Sequence, residues 1–222
     1  MDAQQKVTVS EARERMPQGW RQVLQAVRAR YATPDFVTGV RFVNEVAELA
    51  EAAQHHPEVS LAYSSVELRL TSHDVGGLTG RDLDLAAQIA QAAQSLGLSP
   101  EPSAITQVEL GLDSDAAAAL SEAYAALLGT TVVRGEEAVD PDGRQPTVWF
   151  QDSDPAFVGA PGAPEQRWHL DVWVAEDEGQ ARVDAFVAAG GVLVDDSQAP
   201  AFWVVADAEG NRSCVCTVSS RG

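Results

Sequence analysis

The sequence predicts an α+β chain in two parts: helices laid on an antiparallel sheet, then a paired arrangement of strand, helix and three strands. Three observations lead there. Over residues 1–98 the hydrophobic period switches between about 3.6 and about 2 residues, the marks of helix and of half-buried strand. From residue 104 to 222 a strand, a helix and further strands occur twice, an internal repeat of the βαβββ kind. Between the two parts, Leu98-Ser-Pro-Glu-Pro-Ser103 is a Pro/Ser stretch after a helix end, which makes 99–103 a linker.

Thr8-Val-Ser-Glu11 is a capping-box pattern that opens a short helix through about Met16, ended by Pro17-Gln18-Gly19. Trp20 to Tyr31 reads as one half-buried strand, with Val27, Ala29 and Tyr31 alternating against Arg28 and Arg30. After Thr33-Pro34-Asp35, the apolar residues Phe36, Val40, Val43, Ala47 and Ala50 recur at spacings of three and four. They mark one face of a long helix ending near Gln54. Tyr63 to Thr71 alternates again, Val66, Leu68 and Leu70 against Ser65, Glu67 and Arg69, and by that parity His73 continues the polar face. Gly76-Gly77 is a turn. Thr79-Gly-Arg-Asp82 is a second capping box, opening a helix with Leu83, Ala86, Ala90, Ala93 and Leu96 on one stripe and Gly97 at its close.

In the second part, Ile105, Gln107, Val108 and Leu110 begin a strand, and Asp113-Ser-Asp115 is placed to cap a helix that ends at Gly129. An acidic loop, Glu136 to Gly143, precedes a strand near Thr147–Gln151. Arg167 to Val174 alternates, a helix follows with Val183, Phe186 and Val187 up to Gly190-Gly191, and strands then run from Val192 to Val218 around a turn at Asp207–Asn211.

The net charge of −18 is uneven: residues 1–98 carry 12 acids and 9 bases, residues 99–222 carry 21 and 6. Such a field repels phosphate backbones and anionic lipid, so neither nucleic acid nor a membrane surface is an expected partner. No apolar run reaches the roughly 18 residues of a membrane span, and the N-terminus has no basic start leading into an apolar stretch. Cys214 and Cys216 are the two cysteines; as i, i+2 neighbours on a strand their Cα atoms stand too far apart to bridge comfortably. A reducing cytoplasm is expected. Fourteen of the fifteen basic residues are Arg, the bias of a GC-rich bacterial genome.

Three of the four histidines, His55, His56 and His73, fall within nineteen residues. Imidazole titrates near neutral pH, so such a cluster can supply a general acid and a general base together. Pro57 disfavours helical geometry at the residue before it, which puts the His-His-Pro triplet where the long helix stops. Glu51 lies one helical turn before His55, where it would fix the tautomer of that imidazole or raise its pKa.

Glu51-x3-His55-His56-Pro57-x5-Tyr63-x9-His73-x8-Asp82 resembles the signature of the pterin-4a-carbinolamine dehydratases. The resemblance extends over about residues 8–98, including Phe36-Val-Thr-Gly39-Val-Arg-Phe42-Val and Gly77-Leu78-Thr79. It implies dehydration of a 4a-hydroxytetrahydropterin to the quinonoid dihydropterin, a carbon–oxygen hydro-lyase reaction with no metal or cofactor. It also implies a homodimer or homotetramer built through sheets and helices. His55, His56 and His73 are then expected to be catalytic and to line the pterin site, with Glu51, Pro57 and Asp82 contacting substrate. Our own assignment takes His55 and His73 as the proton-transfer pair and His56 as the orienting group. Asp82 either accepts from the amino-pyrimidine or caps its helix through the N3 position.

In the second part, Tyr124-Ala-Ala-Leu-Leu-Gly129, Arg167-Trp-His-Leu-Asp-Val172 and Asp207-Ala-Glu-Gly-Asn211-x2-Cys214 stand where the glyoxalase-like, or vicinal-oxygen-chelate, superfamily has its recurrent motifs. Fold does not imply function there. Gln107 and His169 are compatible metal ligands, with Gln151 and Cys214 at the other corresponding positions, but no clear carboxylate pair completes a set, and no metal is expected. The reading is therefore a cytoplasmic dehydratase with a fused glyoxalase-like domain of unknown ligand. The rival reading is a catalytically silent dehydratase fold that binds or oligomerises, with the second part carrying small-molecule binding or a metalloenzyme activity.

Overall fold

The computed structural model describes residues 5–114, 116–135, 137–141, 143–152 and 166–220. The chain divides into two compact units, Met1–Thr106 with Val218–Gly222, and Gln107–Thr217.

The first unit begins with helix α1 (Val9–Arg15), whose capping box is complete: Glu11 N–H donates to Thr8 Oγ1 at 3.2 Å and Thr8 N–H donates to Glu11 Oε2 at 2.8 Å. Strands β1 (Trp20–Val23) and β2 (Ala26–Ala32) form a hairpin where the alternation predicts one strand. The break falls at Leu24, which takes φ 54°. Left-handed backbone at leucine has no composition cue of the kind Gly or Asn provides. Helix α2 (Phe36–Ala53) is capped by Asp35, which accepts from Thr38 N–H at 2.7 Å. Strands β3 (Glu58–Ala62) and β4 (Ser65–Leu70) are a second hairpin, turning at Tyr63-Ser64 where the pattern reads one strand from Tyr63. Helix α3 (Gly80–Ser95) follows, and β5 (Ser99–Pro100) pairs with β2.

The sheet order is β1-β2-β4-β3 with β5 on β2, and every pairing is antiparallel. Val27, Ala29 and Tyr31 of β2 and Val66, Leu68 and Leu70 of β4 meet Phe42, Val46, Leu83, Leu85, Ala86 and Ile89 of the helices in one core. The buried stripe of α2 is Gly39, Phe42, Val46 and Ala50. The expected stripe is thereby corrected: Ala50 is buried and Val43 packs against the core, while Phe36, Val40 and Ala47 are exposed. Both stripes satisfy the helical period. Close approach chooses between them, since a Cβ at Gly39 would come 2.6 Å from Leu61 Cδ1. Residues 99–103, read as linker, are strand and 3₁₀ turn: Glu101 N–H donates to Arg30 O, and Arg30 Nε donates to the Glu101 carboxylate at 2.9 Å.

The second unit is βαβββ twice: β6 (Thr106–Asp113), α4 (Ala117–Leu128), β7 (Thr131–Val133), β8 (Glu137–Val139) and β9 (Thr147–Gln151), then β10 (Trp168–Val174), α5 (Gly179–Ala188), β11 (Val192–Asp195), β12 (Phe202–Ala206) and β13 (Arg212–Cys216). One eight-stranded sheet runs β11-β12-β13-β10-β6-β9-β8-β7. In each repeat the first strand pairs in parallel with the last, β6 with β9 and β10 with β13. Alternate residues pack under the helix of their own repeat: Leu110, Leu112, Val148 and Phe150 with Leu120, Tyr124 and Leu128, and Val172, Val174, Val205 and Val215 with Val183 and Phe186. This is the glyoxalase-like fold. The acidic segment holds β8 where a loop is expected, with Glu136 and Asp142 outside the described residues. Asp113 does not cap α4: it ends β6 and accepts from Gln151 Nε2 at 2.8 Å, while Ser114 Oγ accepts from Ala116 N–H and Asp115 lies outside the described residues.

Candidate active site

The C-terminus of α2 explains how two adjacent histidines reach different surroundings. Gln54 is left-handed at φ 50°, Gln54 N–H donates to Glu51 O, and His55 N–H donates to Ala50 O at 3.1 Å. These are the paired bonds of a Schellman turn. Past it the chain leaves the helix, and the two side chains meet different surroundings. His55 turns inward and is 9% exposed. His56 turns outward with 59% of its side chain exposed.

The N-terminus of α3 meets His55. Thr79 is the N-cap and Asp82 the N3 residue of a complete capping box. Asp82 is fully buried. Its Oδ2 accepts from Thr79 N–H at 2.8 Å and from Ser72 Oγ–H at 2.7 Å, and its Oδ1 faces His55 Nε2 at 2.7 Å. As a carboxylate it has only acceptors to offer. The His55 proton on that side therefore sits on Nε2, which leaves Nδ1 as the atom that gains or loses one. Both oxygens of Asp82 make contacts inside the protein: it caps α3, one of the two roles expected of it, and it holds His55.

The expected partner of Glu51 is corrected. Its Oε1 lies 3.1 Å from His56 Nε2, not beside His55. The expected one-turn spacing presumes a helix running on through residue 55, and the Schellman turn ends it at Ala53. Pro57 is half-buried between His56 and the start of β3.

His73 is exposed in a turn closed by Ser72, where Ser72 N–H donates to Gly77 O, Val75 N–H to Ser72 O, and Gly76 N–H to His73 O. The alternation of β4 ends at Leu70, so strand parity does not aim His73. Among the described residues its imidazole has no hydrogen-bond or ion-pair partner. Arg81 Nη2 grips both Asp74 oxygens at 2.7 and 3.0 Å, which pins the turn from its other side. Arg81 holds the Asp74 carboxyl below the usual carboxylate range, and the nearby His55 adds a smaller pull in the same direction. Ser72, Thr79, Asp74 and Arg81 are the site's supporting groups. Sequence reasoning singles out Thr79 and Asp82 through their capping box and has no signal for Ser72 in this role.

The side chains present can do acid–base chemistry: one buried imidazole with its proton assigned, and two exposed imidazoles, His56 and His73, that solvent can reach.

In the second unit, His169 packs edge-on to Trp149, at 5.4 Å between ring centroids, and its ring fills the space over Gly111. Asp171 Oδ1 stands 3.8 Å from its Nε2. Gln107 is half-buried on β6. Among the described residues no group of three or more His, Cys, Asp and Glu is arranged to hold a metal ion. Cys214 and Cys216 are free thiols on one face of β13, and the Cys216 pKa is pushed up by its hydrogen bond with Cys214, by burial and by the Asp171 charge. Among the described residues no helix is long and apolar enough to cross a membrane.

Comparison with known proteins agrees with both halves. The family model for pterin 4 alpha carbinolamine dehydratase matches residues 5–92, and that for a glyoxalase-like domain matches residues 109–216. Proteins bearing the name pterin-4-alpha-carbinolamine dehydratase are similar over the first unit. That of Thermomicrobium roseum is 41% identical over 86 residues, 39% of this chain and 91% of its own. That of Roseiflexus castenholzii is 48% identical, and that of Koribacter versatilis 46%, each over 71 residues, 32% of this chain and 76% of its own. A crystal structure of a transcriptional coactivator/pterin dehydratase from Brucella melitensis is 31% identical, covering 40% of this chain and 99% of its own at a TM-score of 0.38. The dehydratase match falls on the segment that carries Glu51, the three clustered histidines and Asp82, and the second match falls on the βαβββ pair. The chain therefore belongs to the pterin-4a-carbinolamine dehydratase family, with a glyoxalase-like domain fused behind the family's own domain.

Proposed function

We propose that the first unit dehydrates a 4a-hydroxytetrahydropterin to the quinonoid dihydropterin by histidine acid–base catalysis. The observation that carries this reading is the buried His55–Asp82 pair, 2.7 Å across, in a segment that also presents the exposed His56 and His73. In the reaction the C4a–oxygen bond breaks as its hydroxyl takes a proton and leaves as water. N5 gives up its proton, and the electrons of that bond form the new C=N bond. His55, through Nδ1, and His73 are the proton-transfer pair, and each transfer contributes about 10²–10⁴-fold. His56, steadied by Glu51, orients the pterin, and Pro57 stiffens the backbone beneath it. Asp82 acts through His55.

Turnover of enzymatically generated 4a-hydroxytetrahydropterin, followed by ultraviolet absorbance, tests this. We expect rapid turnover by the full chain, and a loss of about 100-fold or more in His55→Ala and His73→Ala. No turnover by a well-folded wild type, or full activity in both variants, would overturn it and move the search for function to the glyoxalase-like unit. The assembly is read as a homodimer or homotetramer, a reading supported by the exposed apolar residues Phe36, Val37 and Val40 of α2 and Val59 of the edge strand β3. Light scattering at micromolar concentration would refute it by giving the mass of a single chain.

A further inference from the structure

Ser72 is 1% exposed and makes contacts in two directions. Its hydroxyl donates to Asp82 Oδ2 at 2.7 Å and lies 2.9 Å from Thr79 Oγ1, while Arg81 N–H and Nε donate to that Thr79 oxygen. Its own backbone closes the turn that carries His73, through Ser72 N–H to Gly77 O at 2.9 Å and Gly77 N–H to Ser72 O at 3.3 Å. One small residue thus touches the carboxylate that holds His55 and, through one peptide bond, the residue His73.

We propose that Ser72 is a positioning residue for the dehydration, coupling the proton position on His55 to the placement of His73. The inference rests on reading the first unit as a dehydratase. The hydrogen bonds have one consistent direction: Arg81 donates to Thr79, Thr79 to Ser72, Ser72 to Asp82, and His55 Nε2–H to Asp82 from the other side. Since the Ser72 proton is committed to Asp82, Ser72 Oγ is the acceptor of the Thr79 hydroxyl. Such a chain polarises along its length, and a buried polar atom that loses its partner bears the full cost of desolvation. Without the Ser72 hydroxyl, Asp82 Oδ2 keeps the backbone donor of Thr79 at 2.8 Å and the longer contact of the Thr79 hydroxyl at 3.3 Å. The carboxylate is then held less tightly against rotation about its Cβ–Cγ bond, the bond to His55 Nε2 slackens, and the imidazole gains access to its other tautomer with the proton on Nδ1. In that tautomer Nδ1 carries the proton and cannot accept one from substrate. Thr79 is a weaker substitute for Ser72, because its hydroxyl stands 3.3 Å from Asp82 Oδ2 where that of Ser72 stands 2.7 Å away.

Two measurements on the full chain test the proposal. The first is the ¹⁵N spectrum of the four imidazoles. In the wild type His55 is expected in the Nε2–H form, and a His55 found with its proton on Nδ1 would overturn the proposal whether or not any variant folds. In Ser72→Ala the His55 and His73 resonances are expected to move and that of His55 to average between tautomers. His56, steadied by Glu51, and His169, in the other unit, are expected to stay. The second is steady-state kinetics on 4a-hydroxytetrahydropterin. We expect Ser72→Ala to lower kcat by about 10- to 100-fold, the scale of a misplaced catalytic group, with KM unchanged, and Ser72→Thr to restore both kcat and the His55 spectrum by returning the hydroxyl. Unchanged His55 resonances in a folded Ser72→Ala, with or without lost activity, would sink the coupling. A wild type without turnover would instead refute the dehydratase reading, and the imidazole spectra would still decide whether Ser72 sets the His55 tautomer.

Discussion

His55 and His56 are the same residue type at adjacent positions, and the structure gives them opposite surroundings and different carboxylates. Charge placement shows the same dependence on local geometry at Asp74. Its pKa in the folded chain lies below the unfolded value because Arg81 grips it. The stability it contributes is present above the ordinary Asp value of about 3.9 and is lost as pH falls through the folded value. The gap in urea midpoint between wild type and Asp74→Asn should be widest at neutral pH and close as the pH drops below about 4; a gap of constant size would show that Asp74 acts by shape and not by charge. Cys216 shifts in the other direction. Its raised pKa keeps it a thiol at neutral pH, and the thiolate is the nucleophile. Iodoacetamide should leave Cys216 unmodified in the folded protein and label it on unfolding, and rapid labelling under native conditions would contradict that.

Among the elements, the two hairpins escape prediction because their turns, Leu24-Gln25 and Tyr63-Ser64, lack the Gly, Asn or Pro that marks a tight turn. Strand β5 escapes it for the opposite reason: Pro and Ser suggest a linker, yet the segment pairs with β2 at Tyr31 and Ala32. Gly19 is the counterpart of that pairing. It has φ 86°, and a Cβ there would stand 2.5 Å from Pro100 Cβ. Gly19→Ala combines left-handed backbone strain of about 1–2 kcal/mol with overpacking of about 1–3 kcal/mol against a rigid ring. Denaturant unfolding should register a loss of roughly 2–5 kcal/mol in the first unit, and an unchanged midpoint would mean that β5 is not held there.

At the level of the whole chain, two units carry separate cores and very different charge. The first core joins α2 and α3 to β2 and β4, and the second unit has one hydrophobic cluster under each of its two longer helices. Phe42 is fully buried in the first, so Phe42→Ala should cost about 3–5 kcal/mol. Hydrogen exchange should place that loss in the amides of β2, β4 and α3 and leave those of β10, β12 and β13 as protected as before. An equal loss in both sets would show that the two units unfold as one. The eighteen excess negative charges are shared 3 to 15 between residues 1–98 and 99–222, so added salt should raise the stability of the second unit more than that of the first by screening its self-repulsion.

The parts of this protein readable along the chain are those whose causes are local. Both capping boxes depend on contacts three residues apart, the repeated βαβββ order on hydrophobic periods within each segment, and the histidine cluster on simple proximity. Three things needed the folded chain. The buried face of α2 was open because two apolar stripes fit one helical period, and packing of Gly39 against Leu61 chose between them. The partners of the histidines were open because a left-handed residue at Gln54 takes His55 out of helical register. The tie from Ser72 to Asp82 was open because it spans ten residues across a turn. In each case the deciding contact lies between segments whose meeting depends on the packing of helices against the sheet, a long-range matter on which the spacing of residue types carries no information.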